Sequence, residues 1–246
     1  MNSLRNRTLI ITGASRGIGQ ALARELASAG ADLVLNARGA ADLSRVAGEC
    51  ADMGVKTEYV AGDASTAEAA GKVVEAALKL GGFYGFVHVA GVARPGPFLW
   101  ELPEVHFSEV FGASVIAAYQ LVRFAFPPLL DQGDGIAVFF GSPAAEISMA
   151  GLAAYCVAKA AEEHLVRQLA EEAPKITSFV YRPGVVDTGM QREAREAEGG
   201  AAETLRREFR GYKEKGLLIS PEQAAKGLVK VLTENPRRFH GRIANA

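Results

Sequence analysis

The chain predicts a single α/β domain over residues 1–246, a doubly wound parallel sheet of about seven strands with helices on both faces. Three observations carry this. Strand-like and helix-like segments alternate along the chain without a linker, several of the strands are nearly all apolar, and the first strand ends in a glycine-rich turn that opens a helix. Alternation of this kind builds parallel sheets, whose strands are covered on both faces and so lose the polar alternation of a half-exposed strand.

Taken in order, Thr8-Leu9-Ile10-Ile11-Thr12 reads as a short buried strand. Ile18, Ala21, Leu22, Leu26 and Ala29 then recur at helical steps, and Gly30 supplies a C-terminal stop. Further strands are expected near 32–36, 56–61, 85–89, 135–140, 176–181 and 242–244, with helices near 18–29, 40–53, 66–80, 104–131, 152–173 and 221–234. The run Ile136-Ala137-Val138-Phe139-Phe140 is the plainest doubly covered strand. The stretch 189–215 stands apart, being charged, alanine-rich and helix-prone; by itself it reads as a solvated surface helix.

Bulk properties narrow the function classes. Lys plus Arg number 27 against 28 Asp plus Glu, net −1, with no long run of one sign, which argues against a nucleic-acid or membrane-surface partner. No apolar segment is read as approaching the ~18 residues of a membrane span. The polar stretch Asn2–Arg7 runs straight into a strand and is not read as a secretion signal. Cys50 and Cys156 have no metal-ligand spacing and give no disulfide framework, and His88, His106, His164 and His240 are scattered. No metal is expected, and the cytoplasm is the expected compartment.

The turn Gly13-Ala14-Ser15-Arg16-Gly17-Ile18-Gly19 between strand and helix has the makings of a phosphate cradle. Its glycines allow a tight turn and close backbone approach, and the helix N-terminus favours the anion. The same residues also fit Gly-x-Ser-x-Gly, the nucleophile elbow of serine hydrolases. An elbow on the first strand would have no preceding loop to complete an oxyanion hole, and would leave Gly19 and Arg16 without a purpose. The phosphate reading is preferred. Charge then bears on which dinucleotide would bind. Where NAD-preferring folds place an acid at the end of the second strand, this chain runs Asn36-Ala37-Arg38. Arg38 and Arg16 together suit a 2′-phosphate, so NADP(H) is expected.

Tyr155 and Lys159 stand one helical turn apart in Tyr-Cys-Val-Ala-Lys, with Ser142 upstream. On a helix the two share a face, where a lysine ammonium favours the phenolate of a neighbouring tyrosine. That would make Tyr155 a candidate acid and Ser142 a candidate partner for a substrate oxygen. Cys156 is read as packed core and His88 as a packed strand residue.

These landmarks together resemble the short-chain dehydrogenase/reductase family over essentially the whole length. The matching features are Thr12–Gly19, Asp63 after the third strand, Ala90-Gly91 after the fourth, Ser142, Tyr155 with Lys159, and Pro183-Gly184-Val185-Val186-Asp187-Thr188. Segments 182–191 and 212–216 look most like sepiapterin and benzil reductases.

The resemblance implies a Rossmann-type fold and NADPH-dependent reduction of a carbonyl, an aromatic ketone or vicinal dicarbonyl, with Ser142, Tyr155 and Lys159 catalytic. It implies cofactor contacts from Gly13, Ser15, Arg16, Gly17, Ile18, Gly19, Arg38, Asp63, Ala64, Ala90, Gly91, Tyr155, Lys159, Pro183, Gly184, Val186 and Thr188. It also suggests that 189–215 is a mobile lid and that the chain forms a homodimer through its two long helices, with a tetramer as the larger possibility. Two departures stand out. His88-Val89-Ala90-Gly91 replaces the usual Asn-Asn-Ala-Gly, and Ser114 stands where a catalytic Asn is common. Serine can bond backbone and bend a helix, so Ser114 is expected to stand in for that Asn, with Gly112 assisting. A 3-oxoacyl-thioester reductase and a redox-silent NADP(H)-binding regulator are the competing functions. Phe98, Trp100, Pro143, Ala144, Ile147, Met149 and Leu152 are candidates for an apolar substrate pocket.

Overall fold

The structure, a computed structural model, describes residues 4–246; the N-terminal reading of Asn2 and Ser3 lies outside the described residues. Seven strands form one sheet: β1 Thr8–Thr12, β2 Asp32–Ala37, β3 Thr57–Ala61, β4 Phe83–His88, β5 Ile136–Phe140, β6 Thr177–Arg182 and β7 Ile243–Asn245. Their order is β3-β2-β1-β4-β5-β6-β7, and every pairing is parallel. The chain winds outward from β1 in one direction, then returns to β4 and winds in the other. The crevice between the carboxyl ends of β1 and β4 is therefore the expected place for a ligand.

Helices cover both faces. α1 (Gly17–Ser28), α2 (Ala40–Ala51) and α9 (Pro221–Glu234) lie on one side, where Leu22, Leu26, Leu43, Val46 and Leu228 are buried against Leu9, Leu33 and Val138. α3 (Ala67–Leu80), α5 (Ala117–Gln132) and α6 (Ala153–Glu172) cover the other, with Val73, Leu121, Leu129 and Val166 against Ile10, Phe86 and Phe139. β1 and β5 are buried at every position, as their unbroken apolar runs require. β3 is an edge strand and half exposed.

The helix expected near 104–131 runs from Glu104 to Gln132 but is not a regular α-helix throughout. α4 (Glu104–Phe111) passes through a wider π-helical turn at Gly112–Ile116 before α5 begins. A second expectation about this stretch is also corrected. The helix Glu104–Gln132 contains an 18-residue window of mean hydropathy 1.4, long and apolar enough by composition to cross a bilayer. Its apolar content has another use here, because Ala118, Leu121, Ala125 and Leu129 pack beneath the sheet.

The stretch 189–215 is not one solvated helix. It forms α7 (Gly189–Arg195) and α8 (Ala202–Glu214), and Ala197, Ala202 and Leu205 bury a shared face with Ala144, Leu152 and Cys156. Its flanks are pinned together, since Asp187 N–H donates to the Ile219 carbonyl and Ile219 N–H to that of Val185, each at 2.9 Å. α9 starts in a full capping box between Ser220 and Gln223.

Candidate active site

A cleft of about 1100 Å³ opens along the carboxyl ends of the strands. Its floor at β1 is the glycine turn. Gly13 has φ +68°, and a Cβ there would come 2.9 Å from the backbone of Ala90; a Cβ on Gly19 would lie 2.2 Å from the Gly13 carbonyl oxygen. Both positions exclude any side chain, so the turn is drawn tightly against β4. No side chain caps α1, which leaves its first amides open to the cleft. The residues present therefore fit a dinucleotide phosphate group.

The sequence-predicted residues converge on this cleft. Gly13, Ser15, Arg16, Gly17, Ile18, Gly19, Arg38, Asp63, Ala64, Ala90, Gly91, Pro183, Gly184, Val186 and Thr188 all line it, as do Ser142, Tyr155 and Lys159. The γ-methyl of Thr188 would sit 3.7 Å from a Cβ on Gly17, so segment 183–188 faces the glycine turn directly. Asp63 spends one carboxylate oxygen on the Ser65 N–H at 2.9 Å, shaping the turn that leads to the Thr66 cap of α3. Arg16 and Arg38 are exposed at the same end of the cleft and, among the described residues, neither enters an ion pair. Asp42, which also lines the cleft, lies 3.4 Å from Arg45.

Across the cleft, Tyr155 and Lys159 project from α6. Lys159 is buried, its Nζ 5.9 Å from the centre of the Tyr155 ring. Nζ donates to the Phe140 carbonyl and to Glu162 Oε2, both at 2.7 Å. Burial opposes its charge, but Glu162 and Tyr155 outweigh that and raise its pKa. Ser142 begins a short 3-10 turn, its Oγ accepting from Ala144 N–H at 3.2 Å, while its own N–H donates to Glu163 Oε1 at 3.3 Å. Glu163 is itself gripped by Arg182 at 2.9 and 2.6 Å.

Ser114 departs from expectation. Its hydroxyl is buried and bonds nothing among the described residues, so it does not bend the helix. The π turn is instead held by His88, whose Nε2 lies 3.0 Å from the Ser114 carbonyl oxygen. The Thr12 hydroxyl accepts from Val89 and Ala90 N–H, so it donates to His88 Nδ1 at 2.8 Å. Nε2 therefore carries the imidazole proton and donates it to Ser114. Burial, with the Lys159 charge nearby, pushes the His88 pKa down to about 3, so the ring is neutral. A Cβ on Gly91 would lie 3.8 Å from Ser114 Oγ and 4.0 Å from Lys159 Nζ, which places both beside the cleft floor.

The apolar end of the cleft corrects two candidates. Pro143, Ala144, Ile147, Met149 and Leu152 line it, but Phe98 and Trp100 do not. They stack on each other with centroids 4.8 Å apart, and Trp100 is 81% exposed. Their places are taken by Met190, Phe209 and Tyr212 from α7 and α8. These were missed because their distance along the chain hides the contact; the helical spacing of Phe209 and Tyr212 was the available signal. Cys156 is buried as expected, in the cluster that also forms this wall, and burial raises its thiol pKa.

A crossover crevice with an uncapped, glycine-lined helix start at one side and a Tyr-Lys pair at the other defines a nicotinamide dinucleotide oxidoreductase acting on CH–OH and C=O groups. Comparison with known proteins agrees: the short chain dehydrogenase family model matches residues 7–199, and the chain belongs to that family. An uncharacterized oxidoreductase of Schizosaccharomyces pombe is 31% identical over 238 residues, covering 94% of this chain and 93% of that protein. An NADPH-dependent pterin aldehyde reductase of Arabidopsis thaliana is 32% identical over 188 residues, 75% of this chain and 76% of its own. Among solved structures, a proposed NAD(P)-dependent gluconate 5-dehydrogenase of Beutenbergia cavernae, with NADP bound at low occupancy, superposes with a TM-score of 0.85 at 28% identity, covering 99% of this chain and 96% of that one.

Proposed function

We propose that this protein reduces a carbonyl compound, an aromatic ketone or vicinal dicarbonyl, to the alcohol at the expense of NADPH. The observation that carries the proposal is the single cleft that joins Ser142, Tyr155 and Lys159 on one wall to Arg16 and Arg38 at the far end. NADPH, when bound, supplies a hydride to the carbonyl carbon. Gly13, Gly17, Gly19 and the α1 amides would hold its pyrophosphate, Arg16 and Arg38 the 2′-phosphate, Asp63 and Ala64 the adenine, and Ala90 and Gly91 the ribose. Pro183, Gly184, Val186 and Thr188 would hold the carboxamide end. The NADPH-dependent relative and the NADP-containing neighbour support the phosphate-bearing form.

Ser142 Oγ donates a hydrogen bond to the carbonyl oxygen and fixes its orientation. Tyr155 delivers the proton as negative charge develops there, and the Lys159 ammonium stabilises the phenolate that remains. Met149, Leu152, Met190, Phe209 and Tyr212 give the carbonyl end an apolar, aromatic lining suited to a ring-bearing substrate. Segment 189–215 serves as the lid of that pocket. The exposed Phe107, Ile116 and Tyr119 of the long helix and Val157 of α6 form the face of a homodimer. The cytoplasm is the proposed compartment, on the strength of two buried, unpaired cysteines.

A panel of aromatic ketones, diketones and a 3-oxoacyl thioester, followed by NADPH absorbance, tests the reading. Diketone turnover should fall by about 10²–10⁴-fold in Tyr155→Phe with NADPH affinity unchanged. Full turnover in that variant would place the acid elsewhere, and preference for the thioester would reassign the substrate.

A further inference from the structure

α6 carries a third ionisable group on the face that presents Tyr155 and Lys159. Steps of four and then three residues lead from Tyr155 to Lys159 to Glu162, so the three lie in one row along the helix. Glu162 is 1% exposed and one of its oxygens takes the Lys159 ammonium at 2.7 Å. Its other oxygen, Oε1, is buried and has no hydrogen-bond partner among the described residues. A buried carboxylate used on one side only is costly to keep, and hydrophobic side chains of similar volume normally fill such a place at no loss of stability. Among the described residues, the only cation that Glu162 bonds is the lysine of the proposed proton-donating set.

We propose that Glu162 is a positioning residue for this set: its carboxylate draws the Lys159 ammonium back against the Phe140 carbonyl and keeps it charged inside the fold. The proposal rests on the reading of Tyr155 and Lys159 given above. It gives the α6 ion pair a consequence beyond packing. In a buried site the ammonium would otherwise lose its proton readily, because desolvation disfavours the charged form. An anion in direct contact reverses that.

The charged surroundings are few. Glu163 on the same helix adds negative charge, but Arg182 on β6 engages it. His88 on β4 feels the Lys159 charge and stays neutral. Burial pushes the Glu162 pKa up, while the Lys159 ammonium pulls it back toward the carboxylate form.

The test is Glu162→Gln, which keeps the shape and removes the charge. Titration of the Lys159 side chain is followed by lysine Cε and Nζ NMR signals, assigned by their loss in Lys159→Met. The Lys159 midpoint should fall by at least one pH unit, a tenfold loss of proton affinity, and the basic limb of kcat/KM should move down with it. Glu162→Asp should recover part of both. An unchanged Lys159 midpoint in folded Glu162→Gln overturns the proposal, because a purely structural role would leave it in place. If Glu162→Gln does not fold, Glu162→Asp is read alone, and a midpoint equal to wild type despite the shortened reach counts against the proposal. The titration needs no substrate, so failure of the proposed reaction would show separately, as absence of turnover with an intact Lys159 shift.

Discussion

At the scale of single residues, the most informative departure from the family pattern is His88. An imidazole in the place of an amide can still join two elements, because it donates from one nitrogen and accepts at the other. Here it ties Thr12 at the end of β1 to the carbonyl of Ser114 in the π turn. That use requires the neutral ring, and the neutrality is linked to pH. The unfolded histidine takes up its proton near pH ~6.5, whereas the folded one does so only near about 3. The contribution of His88 to stability is therefore complete above the unfolded pKa and is lost as pH falls toward the folded one. Glu162, pushed up instead of down, works in the opposite direction and is common to any His88 variant. In urea unfolding, the advantage of wild type over His88→Asn should shrink by about 2 kcal/mol between pH 7 and pH 5. An advantage that stays constant would mean that the buried ring accepts a proton.

At the scale of elements, the docking of α8 is set by a short set of backbone contacts that its own sequence does not display. Ala201 N–H donates to the Gly96 carbonyl at 3.0 Å, and Gly96 N–H to that of Gly151 at 2.8 Å, so the turn before α8 is stitched to the loop beside α6. Glu101 adds a carboxylate clasp, one oxygen accepting from Phe98 N–H at 3.0 Å and Gly200 N–H at 2.9 Å. An exposed charge-assisted bond of this kind contributes about 1 kcal/mol. Glu101→Ala should therefore raise hydrogen exchange at the Gly200 amide by about fivefold, while exchange in β1 and β5 stays as it was. Equal protection at Gly200 in both proteins would show that the Gly96 contacts alone hold the turn. The sequence showed that residues 189–215 were helix-prone. It could not show two helices with a buried face, because alanines such as Ala197 and Ala202 give a weak apolar signal and are buried by partners distant in the chain, Leu152 and Cys156 among them.

At the scale of the whole molecule, the cleft spans both halves of the sheet, so a ligand that fills it couples them. Binding to the folded state alone raises stability by about 2.7 kcal/mol at a hundredfold excess over Kd. For a chain of this size that corresponds to a rise in Tm of roughly 5–10 °C. NADPH should give this rise to wild type and NADH a smaller one, with the order reversed in Arg38→Asp. Equal shifts from the two cofactors in wild type would remove Arg16 and Arg38 from the proposed 2′-phosphate site.

Much of this molecule is written locally. The parallel sheet follows from apolar runs separated by helical periodicities, and the seven observed strands fall within two residues of those expected. The glycine turn and the Tyr155–Lys159 pair are legible because each is fixed by spacing within one turn of chain. Tertiary structure decided what spacing cannot encode. It left Phe98 and Trp100 outside the cleft, with Trp100 toward solvent, and brought Phe209 and Tyr212 into it. It also widened the long helix at Ser114 by means of a histidine 26 residues away. Those outcomes depend on which surfaces meet once the sheet is wound, and on how far desolvation there changes the worth of a charge or a hydrogen bond. Glu162 shows the boundary most sharply: its place in the row with Lys159 is local, but its burial, and with it the strength of that pairing, comes from packing α6 onto the sheet.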